Sequence, residues 1–243
     1  MSIQLLSDLH FEFHADGGES FVRSLDPRGV DVLVLAGDIA VAEAIPAALD
    51  LFCRHFPGTQ VVFVHGNHEF FGADRESVLA LTREAVAANP NLVWLDCECR
   101  EIAGRRFLGT PLWFPRHPLA DRLKRSMADF SEIRGYESWV YLENARAIAF
   151  LERELREGDV VVTHHLPSQR SVAPRYSSHP LNPFFVCDVE DLIVDRRPRL
   201  WLHGHTHCSV NCRVGETTIR CNPFGYVGYE LNSAFSDALI LDV

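Results

Sequence analysis

Six short apolar runs constrain this chain more than any other feature: Ile3 to Leu6, Val32 to Ala36, Val61 to Val64, Leu92 to Leu95, Val160 to Thr163 and Leu200 to Leu202. Runs of this length, rich in Val and Leu and without polar alternation, read as strands buried on both faces. Helical patterns lie between several of them. Residues 44 to 56 form one, with Pro46 tolerable only in its first turn. Residues 74 to 88 form another, opened by Asp74 as N-cap and closed before Asn89-Pro90. A third spans 138 to 157, with Ser138 as N-cap and Gly158 as the stop. Alternation of strand and helix in the first third implies parallel pairing. Glu101 to Thr110 reads as a hairpin around Ala103-Gly104. Ser209 to Val214, Thr217 to Cys221 and Asp237 to Val243 read as antiparallel strands with no helices between them. The predicted fold is therefore α/β, two mixed sheets packed together and flanked by helices. No Gly/Ser linker divides the chain, so one domain over 1–243 is expected.

Polar strings follow the apolar runs. Asp8-Leu9-His10, Gly37-Asp38, Gly66-Asn67-His68-Glu69, His164 and Gly204-His205-Thr206-His207 each sit just past a strand pattern. Carboxylate, amide oxygen and imidazole from five strand ends make a donor set suited to two adjacent divalent cations. Asp8 and His10 are two apart, a spacing that puts both on one face of an extended strand. A carboxylate such as Asp38 can bridge two ions, and Asn67 adds a neutral oxygen. Two divalent ions, two aspartates and one hydroxide leave a local charge of about +1, which attracts phosphate and favours metal-assisted phosphoester hydrolysis. Manganese is the leading expectation for the metal, with Fe, Zn, Ni or Co compatible with the same donors.

Composition narrows the partners. Acids outnumber bases 33 to 23, a net charge of −10, against a general binder of nucleic acid or anionic membrane. A phosphorylated substrate remains compatible because bound cations reverse the local sign. The seven cysteines form no zinc or redox pattern. The chain opens almost at once on a strand, with no secretory leader and no apolar run long enough to span a membrane. A soluble, cytoplasmic protein with idle thiols is expected.

Taken in order, D-x-H, G-D, G-N-H-E, H and G-H-x-H resemble the motif set of the calcineurin-like metallophosphoesterase superfamily, and of its small bacterial-type members in particular. The resemblance runs from Asp8 to His207. It implies a four-layer αββα sandwich with a di-metal centre at the strand ends. Matched by motif, one ion would take Asp8, His10, Asp38 and His207, and the other Asp38, Asn67, His164 and His205. Asp38 would bridge them together with a hydroxide that attacks phosphorus, and His68 would protonate the leaving group. The family's protein phosphatases continue G-D as G-D-x-x-D-R-G, whereas this chain reads Gly37-Asp38-Ile39-Ala40-Val41-Ala42-Glu43. That difference argues against a phosphoprotein substrate and leaves both the partner of His68 and the phosphate clamp unassigned.

Candidates for the substrate contacts are Asn67, His165, Arg116, Arg170 and Arg175. His165 competes with His164 as ligand, and position in the motif favours His164. Glu69 reads as a cap on the next helix rather than as the residue that orients His68. The proline-rich segment 166–186 starts beside His164 and is expected to face substrate. Trp113-Phe114-Pro115-Arg116 either lines the pocket or packs beneath a loop. His14, His55, His65, His117, His179 and His203 are read as structural or surface residues. The expected function is hydrolysis of a small phosphomonoester or phosphodiester. The alternatives are a nuclease on the same site and a non-catalytic protein-binding scaffold on this fold.

Overall fold

The computed structural model describes residues 1–243. Its strands, in chain order, are β1 (Ser2–Leu6), β2 (Val32–Leu35), β3 (Gln60–Phe63), β4 (Leu92–Trp94), β5 (Glu98–Ile102), β6 (Arg105–Thr110) and β7 (Val160–Thr163). They continue as β8 (Leu200–His203), β9 (Val210–Val214), β10 (Thr217–Cys221), β11 (Gly225–Tyr226), β12 (Glu230–Leu231) and β13 (Ile240–Asp242). One sheet has the order β13-β1-β2-β3-β4, parallel except for β13 at its edge. The other has the order β5-β6-β7-β8-β10-β9, parallel through its four central strands with an antiparallel strand at each edge.

Period-two alternation with both faces covered explains why the strand runs are mostly apolar. Ile3, Leu5, Val32, Val34, Val62 and Val64 meet Phe107, Val160, Val162, Leu200 and Leu202 between the sheets. Their neighbours in sequence, Leu33, Leu35, Val61 and Phe63, face outward against helices Ile45–His55 and Arg75–Ala88. Leu108, Val161, Trp201 and Ile219 do the same against helices Val140–Glu154 and Glu190–Arg196. The result is helix, sheet, sheet, helix, with each central strand buried on both sides. No helix is long and apolar enough to cross a membrane.

The local readings hold in part. Asp74 caps its helix, its Oδ1 accepting from the Ser77 N–H at 3.0 Å. The expected helix over 138–157 is shorter at both ends. Ser138 lies in a 3₁₀ turn and donates to the Gly135 carbonyl at 2.6 Å, so it caps nothing. Leu155 leaves the helix in an extended conformation with its side chain buried in the outer core, and the Asp159 carboxylate accepts from the Arg156 N–H at 2.8 Å. The C-terminal strands also differ from expectation. β9 and β10 form the antiparallel hairpin, but β10 lies parallel to β8, and β13 crosses to the other sheet to pair with β1.

At Gly109, in β6, the two sheets approach each other closely. A Cβ there would collide with Leu95 and touch Val64 across the interface. Gly109→Ala should therefore lower stability by about 1–3 kcal/mol through overpacking. A thermal unfolding midpoint equal to that of the parent would contradict this close approach.

Candidate metal centre

The polar strings leave the carboxyl ends of β1, β2, β3, β7 and β8, which gather at one edge of the two sheets. That end is where open α/β sheets place their ligands. Asp8, His10, Asp38 and His205 all have positive φ, at 52°, 49°, 56° and 67°. Left-handed backbone costs a non-glycine residue about 1–2 kcal/mol, and clustered strain of this kind marks functional sites. Asp8 and His10 thus reach the centre from a sharply turned backbone after β1 ends, not from one face of an extended strand. Crossing of these turns leaves no space at Gly66, where a Cβ would collide with Asp38 Oδ1 and the His164 ring.

His164 heads the first group of donors. Its Nδ1 donates to the Ala36 carbonyl at 2.9 Å, which leaves a lone pair on Nε2. That Nε2 faces Asn67 Oδ1 at 3.1 Å, His205 Nδ1 at 3.2 Å and Asp38 Oδ2 at 3.3 Å. Asn67 presents its oxygen inward because its Nδ2 donates to Asp129 Oδ1 at 2.9 Å. Four electron-rich atoms therefore converge in a buried place. Donors around one ion, with bonds of about 2.1 Å, lie at such mutual separations. Without a cation, burial opposes charge on His164, but Asp38 and Asp8 outweigh it and push its pKa up to about 9. Proton and metal compete for the same lone pair.

A second group lies alongside. His10 Nδ1 is 3.2 Å from Glu12 Oε1, so its Nε2 is free to face His207 Nε2 at 3.2 Å and Asp38 Oδ2 at 3.9 Å. His207 Nε2 in turn stands 3.9 Å from Asp8 Oδ1. Asp8, His10 and His207 form one compact set of donors, and Asp38, His164 and His205 another, with Asp38 reaching toward both; His68 also comes close to His10 and Asp38. All seven sequence-derived ligand candidates are brought together, and the donor chemistry fits a metal.

His68 stands beside these groups. Its Nδ1 bonds Glu12 Oε1 at 2.8 Å, its ring stacks on Phe71 at 4.1 Å, and its Nε2 is 3.4 Å from the Tyr226 hydroxyl. Burial opposes protonation of His68, but the carboxylates of Asp38 and Glu12 outweigh it and push its pKa up to about 9. Burial would likewise raise Glu12, yet the His10 and His68 imidazoles hold it at about 2. Glu12 is therefore the orienting carboxylate left unassigned by sequence. Its only signal in the sequence is its place two residues beyond His10. Tyr226 and Asp129 escape sequence reasoning as well, since nothing local ties residues so distant in the chain to His68 or Asn67.

Glu69 is neither a helix cap nor a partner of His68. Fully buried, its carboxylate accepts from the N–H groups of Gly66 at 2.6 Å, Ile39 at 2.7 Å and Asp38 at 2.9 Å. It ties the turn after β2 to the turn after β3.

A cavity of about 350 Å³ opens above the donors, floored by Asp38, Asn67, His68, His205 and His207. Segment 166–186 forms one wall through Leu166, Val172, Tyr176, Leu181 and Phe185. The remaining substrate candidates lie elsewhere. His165 is buried behind His164, with Nδ1 3.2 Å from the Pro111 carbonyl. Arg116 is exposed beside Asp121 at 3.6 Å, and Arg170 pairs with Glu190 at 3.2 Å. Arg175 sits at the rim, 3.4 Å from Glu230. None of the four lines the cavity, whereas His179, read as structural or surface, does. Trp113 and Phe114 are buried against Tyr136, Trp139 and Phe184, beneath the loops.

The chain belongs to the calcineurin-like phosphoesterase family, whose pattern matches residues 1–209. It is accordingly a metal-dependent phosphoric ester hydrolase by family. Solved structures share the fold. A phosphopantetheinyl hydrolase from Mycobacterium tuberculosis is 18% identical with a TM-score of 0.72, covering 93% of this chain and 89% of that one. Protein TT1561 of Thermus thermophilus is 17% identical with a TM-score of 0.57, covering 91% and 88%. A dimetal phosphatase from Danio rerio is 13% identical with a TM-score of 0.54, covering 93% and 88%. At such identities the likeness establishes the fold. No curated protein matches the sequence.

Replacing Asn67 with Ala removes one inward-facing oxygen and leaves the strands untouched. Elemental analysis of the gel-filtered protein should show reduced divalent metal, with unchanged far-ultraviolet circular dichroism. Undiminished metal content would remove Asn67 from the ligand set.

Proposed function

We propose that the chain hydrolyses a small phosphorylated molecule at two adjacent divalent ions, held by Asp8, His10, Asp38 and His207 on one side and by Asp38, Asn67, His164 and His205 on the other. The observation that carries this reading is the division of labour around His68. Seven side chains converge their donors on one another, while His68, although it lies close to His10 and Asp38, is tied through Nδ1 to its own carboxylate partner Glu12 on the cavity floor. When bound, the ions supply Lewis-acid polarisation of the phosphoryl oxygens and a water of lowered pKa. Asp129 holds the amide of Asn67, and Ala36 holds the imidazole of His164, each with its donor atom inward. Glu12 keeps the Nδ1 proton of His68, so that Nε2 faces the cavity and can deliver a proton to the departing oxygen. The acidic chain, and a cavity whose 21 lining residues include neither Lys nor Arg, favour a small substrate over a nucleic acid.

Hydrolysis of p-nitrophenyl phosphate or of its bis-ester tests the proposal directly. Turnover of at least one ester is expected with Mn²⁺, Fe²⁺, Zn²⁺ or Ni²⁺, and loss of turnover on chelation. Failure with both esters and every metal, in protein shown to bind the ions, would contradict it. His68→Ala should keep its metal and lose on the order of 10²–10⁴-fold in rate on alkyl esters, whose leaving groups need a proton. The loss on p-nitrophenyl esters should be much smaller, and Glu12→Gln should show the same pattern more weakly. Equal losses on good and poor leaving groups would remove the acid role.

A further inference from the structure

Two groups hold the ring of His68, one at each nitrogen. Glu12 Oε1 takes the Nδ1 proton at 2.8 Å. On the other side the Tyr226 hydroxyl lies 3.4 Å from Nε2, and both residues line the cavity. Catalytic hydrogen bonds are often this long before substrate binds and tighten in the complex. The Tyr226 hydroxyl has no other partner in the protein. When His68 carries a proton on each nitrogen it can only donate, whereas a hydroxyl both accepts and donates. The tyrosine oxygen can therefore accept from Nε2–H with its own O–H left for the cavity.

Tyr226 is firmly placed. It belongs to β11, beyond residue 209, where the match to the family pattern ends. Backbone bonds tie the start of this hairpin to the turn after β1. The Phe224 N–H donates to the Ser7 carbonyl at 3.0 Å, and the Gly225 N–H to the Asp8 carbonyl at 2.9 Å. Gly225 has a φ of 99°, and a Cβ there would collide with the Glu230 carbonyl. The Tyr226 ring centre is 4.3 Å from that of His10, 4.4 Å from that of His207 and 5.0 Å from that of Phe13. Packing accounts for the ring, since a phenylalanine would fill the same space, and does not account for the hydroxyl.

Resting on the function proposed above, we propose that Tyr226 is a catalytic residue, through whose hydroxyl the proton of His68 reaches the departing oxygen. As the bond between phosphorus and that oxygen breaks, the oxygen takes the tyrosine proton, and the tyrosine oxygen takes the Nε2 proton of His68. The tyrosine ends as it began, neutral and protonated. His68 ends neutral, with its Nδ1–H still on Glu12. The attacking water supplies the new oxygen on phosphorus, and the proton it gives up restores the one lost by His68.

Tyr226→Phe keeps the ring and removes the hydroxyl, so the metal-loaded variant should hold as much metal as the parent. Its kcat on alkyl esters should fall by about 10–10²-fold, less than the full contribution of a general acid because His68 remains nearby. The loss on p-nitrophenyl esters, whose oxygen leaves without a proton, should be several-fold smaller. Adding Tyr226→Phe to His68→Ala should lower the rate by less than about two-fold more, because the two residues act as one unit. In mixtures of light and heavy water, the parent's rate on an alkyl ester should follow the curve of two protons in flight, and that of Tyr226→Phe the straight line of one. An undiminished rate in Tyr226→Phe, equal losses on both kinds of ester, additive losses in the double variant, or a straight line in the parent would each overturn the inference. Should His68→Ala still lose most on alkyl esters, the proposed function survives that failure. If the parent hydrolyses no phosphoester at all, both fall together.

Discussion

The position of Asp38, between the two groups of donors, depends on one buried carboxylate. Glu69 accepts from the N–H groups of Asp38, Ile39 and Gly66, which closes two strand exits onto each other. A buried carboxylate is costly unless its lone pairs are filled, and three backbone donors fill them. With the two turns locked, Asp38 has little freedom except to project between the His10 and His164 groups. Asp38 Oδ1 then accepts from the His68 N–H at 2.8 Å, which passes the constraint to the imidazole beside the donors. Rigidity therefore spreads outward from Glu69 through Asp38 to His68, without any of these contacts requiring a ligand.

The fold supplies the stability that such a site spends. Four donor residues sit in left-handed backbone, and electron-rich atoms face one another at 3.1–3.3 Å. Neither arrangement would persist in a loose loop. Each string is instead anchored by a central strand whose side chains are buried on both faces, between the sheets and beneath the helices. Parallel pairing puts all of these strand ends at the same edge, so residues nearly 200 positions apart, such as Asp8 and His205, can share a hydrogen bond of 2.9 Å. Cation binding relieves repulsion that folding has already imposed, and this is preorganisation in its plainest form.

Local sequence carries the strands, the three main helices apart from the ends of the third, and the strings that follow the strands, because each rests on a short-range pattern of burial or capping. It is silent where contacts are made across the chain. Glu12 bonds His68 over 56 positions and Asp129 bonds Asn67 over 62, so neither carboxylate announces its role in its own neighbourhood. Glu69 reads as a cap for the same reason: Asp38 and Ile39, which it binds, are 31 and 30 positions away. The arginines mislead in the opposite direction. Charge suggests phosphate contacts for Arg116, Arg170 and Arg175, but acidic neighbours hold each of them outside the cavity or at its rim. Only the packed structure reveals that no lysine or arginine lines the cavity above the donors.

The account stands on the claim that the converged donors hold two cations joined by Asp38. Anomalous diffraction from crystals grown with Mn²⁺ tests it most directly. Two peaks are predicted, one among Asp8, His10 and His207, the other among Asn67, His164 and His205, with Asp38 contacting both. A single peak, or peaks away from these residues, would contradict it.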